Sequence, residues 1–436
     1  VTIAQKNNIS LYPYSSGKNW GLGSKLPTST SVVLMDLSRL KQIEVNEKME
    51  YAIIQAGVTQ KELSDYLIKN NIQLKFPVTG SSKSTSVIGN IMERGATMFF
   101  HRRKLLLGVE AITGTGKIVR TGLWHFHKNK NTPIFYAPGL GPDLTQAFCQ
   151  SNFGIVTSIV IKLIPKDTGT IVFAETSEQN LVNIIDLISQ LKKEQLIGEG
   201  VLITNKNDPR TAIKKEFTYN GQWSIITSFS GIKEVRDVIQ KKLQKELSKY
   251  CQNIVFTESD SKNNLPHPYQ SVIRDMYNGI PSNFSLETMA QIHGITINSD
   301  KGVDMNKKFP GMSVVLMAVP FDGEKYFDVL KTIRNISKKL NIQAFYNFTT
   351  LDDNTFEGFF RVYFDRNNLE AISKAHKWNQ LVHSSLEALD IFPYRINIEQ
   401  MSSYIDRPED TFWETIKNLK KVFDPQNILS KGRYCP

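Results

Sequence analysis

Three cysteines in 436 residues, Cys149, Cys251 and Cys435, are too few and too far apart for a disulfide scaffold or a cysteine-built metal centre. They fit a reducing compartment, and the expected location is the cytoplasm. Histidine is nearly as scarce, with seven residues. His125 and His127 stand on either side of Phe126, but no carboxylate or cysteine accompanies them at ligand spacing, so no metal site is expected. No apolar run approaches the ~20 residues that cross a bilayer; the best, residues 311–320, has the length of a strand, so no membrane span is expected. Repeats and low-complexity segments are also missing.

Acidic residues are the minority charge, 42 against 53 basic, for a net charge of +11. A basic surplus can serve a nucleic acid, a membrane surface or an anionic substrate, or it can be lysine spread over solvated faces. The one local cluster, His101-Arg102-Arg103-Lys104, is short and lacks interleaved aromatics, which argues against a nucleic-acid partner. Cys149 could be a redox thiol, or a small residue packed inside a helix.

What is present is the length and ordinary composition of a globular enzyme with more than one domain. The chain opens on Val1-Thr2-Ile3-Ala4-Gln5-Lys6, which reads as the end of a helix feeding a strand at Ile9, so the first elements of the domain are expected to be lacking. Strand signals follow at 32–35 and 51–57, then Thr59 as a helix N-cap. A hairpin is expected around Gly114-Thr115-Gly116, and a β-branched strand over 155–164 closes the first domain near Pro165. From there strand-like runs alternate with amphipathic helices at 179–193, 233–247 and 326–340. The expected architecture is α+β, with a first domain at 1–168, a second at 169–386 and a C-terminal segment at 387–436.

Glycine-rich loops recur through the first domain. The first is Ser16-Gly17-Lys18-Asn19-Trp20-Gly21-Leu22-Gly23-Ser24, after an apolar strand; the second runs over 80–95; the third is Pro138-Gly139-Leu140-Gly141; the fourth is Ser151-Asn152-Phe153-Gly154-Ile155-Val156. Glycine permits tight turns and close backbone approach, and successive N–H groups can hold a diphosphate. One such loop is commonly only a turn. Four could line an extended ligand with a diphosphate, a ribityl chain and an aromatic ring. None is the single GxGxxG that opens a dinucleotide fold.

These stretches resemble the flavoprotein family of vanillyl-alcohol oxidase and 4-cresol dehydrogenase. The likeness rests on the first loop, Met35-Asp36-Leu37-Ser38-Arg39-Leu40, Gln55-Ala56-Gly57-Val58-Thr59, Gly89-Asn90-Ile91-Met92-Glu93-Arg94-Gly95, Arg120-Thr121-Gly122, Gln150 to Ile155, Tyr394-Arg395 and the end from Asp424 to Arg433. It implies a two-part FAD-binding domain interrupted by an α+β cap domain over the flavin. The backbone from Gly17 to Gly23, with Ser16, Lys18, Asn19, Trp20, Gly21 and Ser24, would hold the pyrophosphate region. Gly89, Asn90, Glu93, Arg94 and Gly95 would lie along the flavin, and Asn152, Gly154 and Val156 would border the channel to the adenosine. Tyr394, Arg395 and Arg433 match the residues that hold a phenolate oxygen in the family. The implied activity is transfer of a hydride equivalent from a para-substituted phenol, or a similar anionic aromatic, to flavin N5. Oxygen or a redox protein would accept the electrons, and dimers are usual among such relatives.

Three departures qualify the likeness. Residues 96–104, with His101 to Lys104, are shorter than the Tyr-Thr-Pro-Tyr-Gly-acid-His stretch of relatives and put positive charge where its one acidic residue stands, which favours an anionic group near the flavin or a changed loop. Phe356-Glu357-Gly358 stands where relatives carry a histidine pair, making Glu357 the candidate for proton handling. Lys18-Asn19 occupies one family tether position, and no Tyr or His occurs from Gly294 to Pro320, leaving His293 as the nearest tether, so noncovalent FAD is expected. The alternatives are oxidation of a hydroxy acid or a larger natural product, with Arg102 and Arg103 binding a carboxylate, or flavin binding without phenol oxidation.

Overall fold

The computed structural model describes the chain except residues 127–133, 206–221, 262–267, 298–302 and 408–409; His127 therefore lies outside the described residues. The opening helix, Thr2–Lys6, leads into the strand Ser10–Tyr14, which pairs in parallel with Val32–Asp36. A five-stranded antiparallel sheet follows, in the order Ile43–Asn46, Tyr51–Gln55, Gly154–Lys162, Leu106–Thr113, Ile118–Arg120. Its alternating apolar positions bury Ala52, Ile54, Val109, Ala111, Ile159 and Ile161 in one core with Leu63 and Leu67 of the helix Gln60–Lys69. Thr59 caps that helix reciprocally with Glu62, an arrangement that stabilises it by about 1 kcal/mol. The strand expected over 155–164 is divided: Gly154–Lys162 belongs to this sheet, whereas Ile164–Pro165 pairs with Leu74–Lys75. Cys149 is buried beyond the short turn Gln146–Phe148 rather than inside a helix, and burial pushes its thiol up to about 11, which keeps it protonated.

Beyond residue 168 an eight-stranded antiparallel sheet runs in the order Cys251–Glu258, Gly169–Thr176, Trp223–Ser230, Val201–Asn205, Ala344–Thr350, Thr355–Phe364, Gly311–Pro320, Pro393–Arg395. One face packs against the helices Leu181–Lys193, Gly323–Leu340 and Leu369–Glu387 around Phe348, Phe356, Phe360 and Trp378. Because strand side chains alternate between faces, Glu357, Phe359, Arg361 and Tyr363 turn the other way, toward the first domain. The last strand, Pro393–Arg395, comes from the C-terminal segment and completes the edge of this sheet beside Gly311–Pro320. The chain then returns to the opening strand and the five-stranded sheet, where Leu11 bridges to Leu429 and the buried Lys420 donates to Asn152 O, Asp424 Oδ2 and Leu429 O. The C-terminal segment is thus tied to both sheets, and the site forms between them.

Candidate flavin site

A cavity of about 460 Å³ lies between the glycine loops and the open face of the eight-stranded sheet. Its loop side is built by Ser16 to Trp20 and Ser24, by Gly80, Ser81, Thr85 and Ser86, and by Gly89, Asn90, Glu93 and Gly95. Lys18 Nζ donates to Ser84 Oγ and lies 5.9 Å from the Trp20 ring centre, so the two loops meet through a cation. Burial lowers the Lys18 pKa from its ordinary value. Ser86 caps the helix Val87–Met92 through Gly89 N at 3.0 Å, and a Cβ on Gly89 would stand 2.8 Å from Ser15 Oγ. A side chain there would therefore intrude on the neighbouring loop. Gly154 and Val156 complete this side of the wall.

Several of the matched residues stand behind the wall instead. Gly21 and Gly23, with φ of +75° and +108°, pack the first loop onto its neighbours, where a Cβ would lie 2.4 Å from Val314 Cγ2 and 2.7 Å from Ile398 Cγ2. We expect Gly21→Ala to cost about 1–3 kcal/mol, through positive φ and overpacking, read as a lowered midpoint in thermal unfolding. Asn152 is buried and donates to Ser430 O at 3.2 Å, fixing the C-terminal turn. Arg94, at φ 51°, also stays off the cavity wall. The third glycine loop is largely exposed at 138–144, with Gly139 against Gly122, so three loops rather than four reach the cavity.

At one end the charged residues converge. Arg433 donates to Glu93 and, at 3.0 Å, to the Tyr12 hydroxyl; Tyr434 donates to Glu93 Oε2 at 3.0 Å. Arg395 donates to Asn19 Oδ1 and pairs with Glu93 at 3.6 Å. Burial alone would raise the Glu93 pKa, but the Arg433 and Arg395 guanidinium groups outweigh it and hold the carboxyl below its ordinary range. On the sheet side, Tyr394 donates to Glu357 Oε1. Burial, then the Glu357 charge, keeps the Tyr394 phenol far above its ordinary pKa, so it remains a donor. Glu357, Arg395 and Arg433 line the cavity, whereas Tyr394 stands one side chain behind, packed on Leu22, Val314 and Leu316.

The basic stretch of the altered loop does not serve as a carboxylate receptor in this cavity. Arg103 and Lys104 are exposed, and Arg102 is buried and bonded internally. His293 also stays off the wall; its ring packs 5.4 Å from that of Tyr363, which does line the cavity. Among the described residues no cluster of His, Cys, Asp and Glu could hold a metal ion, and no helix is long and apolar enough to cross a membrane.

Residues 1–122 match the FAD binding domain family. Over 472 aligned positions, covering 99% of this chain and 84% of its relative, the sequence is 24% identical to the 4-cresol dehydrogenase [hydroxylating] flavoprotein subunit of Pseudomonas putida. The chain is a homologue of that flavoprotein subunit. It is an FAD-linked oxidoreductase, and FAD is its cofactor. A second relative, the 1'-carboxy-chondrochloren decarboxylase of Chondromyces crocatus, is 35% identical over 210 residues, a match that takes in 47% of this chain and 39% of that protein. The fold is that of the 4-ethylphenol oxidase from Gulosibacter chungangensis, with a TM-score of 0.85 at 19% identity, covering 100% of this chain and 86% of that one.

The residues present suit FAD. Asn19 Nδ2 and Arg395 Nε are buried without a hydrogen bond, and both residues line the cavity. The hydroxyl-rich run at 80–86 was the cofactor-side signal not singled out in the sequence, although it lies inside the second glycine loop. Asn347, Thr349 and Phe359, the floor of the cavity, had no sequence signal, since only strand pairing brings them there.

Proposed function

We propose that this flavoprotein oxidises a para-substituted phenol, or a similar anionic aromatic, by passing a hydride equivalent to flavin N5. The observation that carries the reading is the placement of Glu357 and Arg395 in one cavity wall, with the Tyr394 hydroxyl bound to Glu357. Glu357 is the group placed to take the phenolic proton. Arg395 offers the developing oxyanion a guanidinium, and charge-assisted hydrogen bonds of this kind are about twice as strong as neutral ones. Tyr394, held as a donor, steadies the Glu357 carboxylate from behind. Arg433 and Glu93 fix Arg395 from the opposite side. Bound FAD supplies the acceptor for the hydride equivalent, and the protein supplies orientation and charge.

A second reading is a larger, carboxylate-bearing aromatic substrate. The decarboxylase relative favours it. So do Met276, Met289, Met305 and Met312, which give the same cavity an adaptable apolar wall. Anaerobic titration separates the two: bleaching of the flavin bands by a 4-alkylphenol supports the first, and bleaching only by hydroxy or carboxylated substrates rejects it. Turnover in air without a dye marks an oxidase; dependence on a dye marks a dehydrogenase. Acid precipitation is expected to leave the yellow colour in the supernatant, because we take the flavin to be noncovalent. A yellow pellet would overturn that and point first to His293.

A further inference from the structure

In the altered stretch at His101 to Lys104, His101 and Arg102 are buried, and Arg102 is the one bonded to the cavity wall. Arg102 is 1% exposed and does not line the cavity, yet its guanidinium holds Asn90 of the cavity wall together with Pro77 and Gln60 behind it. Nε and Nη2 donate to Pro77 O at 2.8 and 2.6 Å, Nη2 donates to Gln60 Oε1 at 2.9 Å, and Nη1 donates to Asn90 Oδ1 at 2.9 Å. Gln60 passes the connection on, donating to Thr79 O at 3.1 Å and Ser82 O at 2.5 Å, at the start of the serine-rich loop. Asn90, whose oxygen is taken by Arg102, lines the cavity with its amide nitrogen crowded against Gly95, where a Cβ would come within 2.1 Å.

Every one of these acceptors is neutral, and the Phe76 ring lies 5.2 Å from the guanidinium. A buried cation with no counter-charge is costly, unlike Arg433 and Arg395, which face Glu93. Burial lowers the Arg102 pKa to about 9, which still leaves it charged at neutral pH. The charge stands one side chain behind the wall and, on the reading that the flavin lies along Gly89 to Gly95, close to where two-electron reduction adds negative charge.

We propose that Arg102 is a positioning residue of the flavin site, locking Asn90 and the serine-rich loop in place and using its uncompensated charge to favour the reduced flavin. The proposal rests on the FAD reading above. It is tested by redox titration of the FAD-loaded enzyme against reference dyes. Arg102→Gln is expected to shift the two-electron midpoint potential to a more negative value, Arg102→Lys to leave it near wild type, and Asn90→Asp to shift it negative by giving Arg102 a counter-charge. FAD affinity, measured by flavin fluorescence, is expected to fall about tenfold or more in Arg102→Gln through the loosened loop. Potentials unchanged in Arg102→Gln and Asn90→Asp would overturn the proposal, as would an equal negative shift in Arg102→Lys. If Arg102→Gln does not fold, Asn90→Asp and Arg102→Lys still decide it. A wild-type protein that takes up no FAD would instead sink the cofactor reading itself.

Discussion

Arg395→Ala is expected to slow substrate-driven flavin reduction by about 10²–10³-fold while FAD stays bound, the usual size of losing one donor to a developing oxyanion. The expectation follows from the division of labour at the charged end of the cavity. Arg395 lines the wall and reaches Glu93 only at 3.6 Å, whereas Arg433 holds Glu93 more closely and is also bonded to Tyr12. Removing Arg395 therefore leaves Glu93 with a counter-charge and the fold with its C-terminal anchor. Arg395→Lys keeps the charge but loses the planar fork, and its rate is expected to lie between the two. Anaerobic stopped-flow reduction by a 4-alkylphenol, with flavin content measured in parallel, provides the check. An unchanged reduction rate in Arg395→Ala would remove this residue from the site.

The second large effect is on stability. Glu93→Gln leaves two largely buried guanidinium side chains, Arg433 at 12% exposure and Arg395 at 14%, without their shared carboxylate. Breaking a buried ion pair by removing one partner costs about 3–5 kcal/mol, because the remaining charge is left in a poorly solvating environment. Glu93 side-chain exposure is 16%, so solvent does little to screen the loss. The effect has a defined pH dependence. Folding lowers the Glu93 pKa from its ordinary 4.5, so the carboxylate stabilises the folded protein above that value, and the benefit is lost as pH falls through the lower folded value. Denaturant unfolding is expected to show the full gap between wild type and Glu93→Gln at pH 7, narrowing on acidification below about 4.5. Equal stability at pH 7 would show that Arg433 and Arg395 find other compensation.

The same two residues show where sequence reasoning succeeds and where it stops. Glu93 and Arg433 lie 340 positions apart, and each was marked by its own short motif, but only the fold makes them partners. Local chemistry was readable locally: Thr59 was marked as a helix N-cap, and the apolar run over 358–364 was marked as a strand. Glycine-rich composition also marked the loops, because tight turns and positive φ favour glycine wherever the chain goes. What composition could not say is which side of a loop faces a ligand. Gly17 reached the cavity, whereas Gly21 and Gly23 were spent on docking against Val314 and Ile398.

By itself the sequence marked an α+β flavoprotein with glycine-rich loops, few and scattered cysteines, and candidate Arg and Glu residues. The tertiary structure alone decided that Tyr394 stands behind Glu357, that the exposed third loop is not part of the wall, and that Arg102 is a buried brace rather than a substrate receptor. The physical reason is that side-chain type and backbone preference are local properties carried by neighbouring residues. Burial, charge compensation and the direction of a hydrogen bond depend on residues brought together from distant parts of the chain.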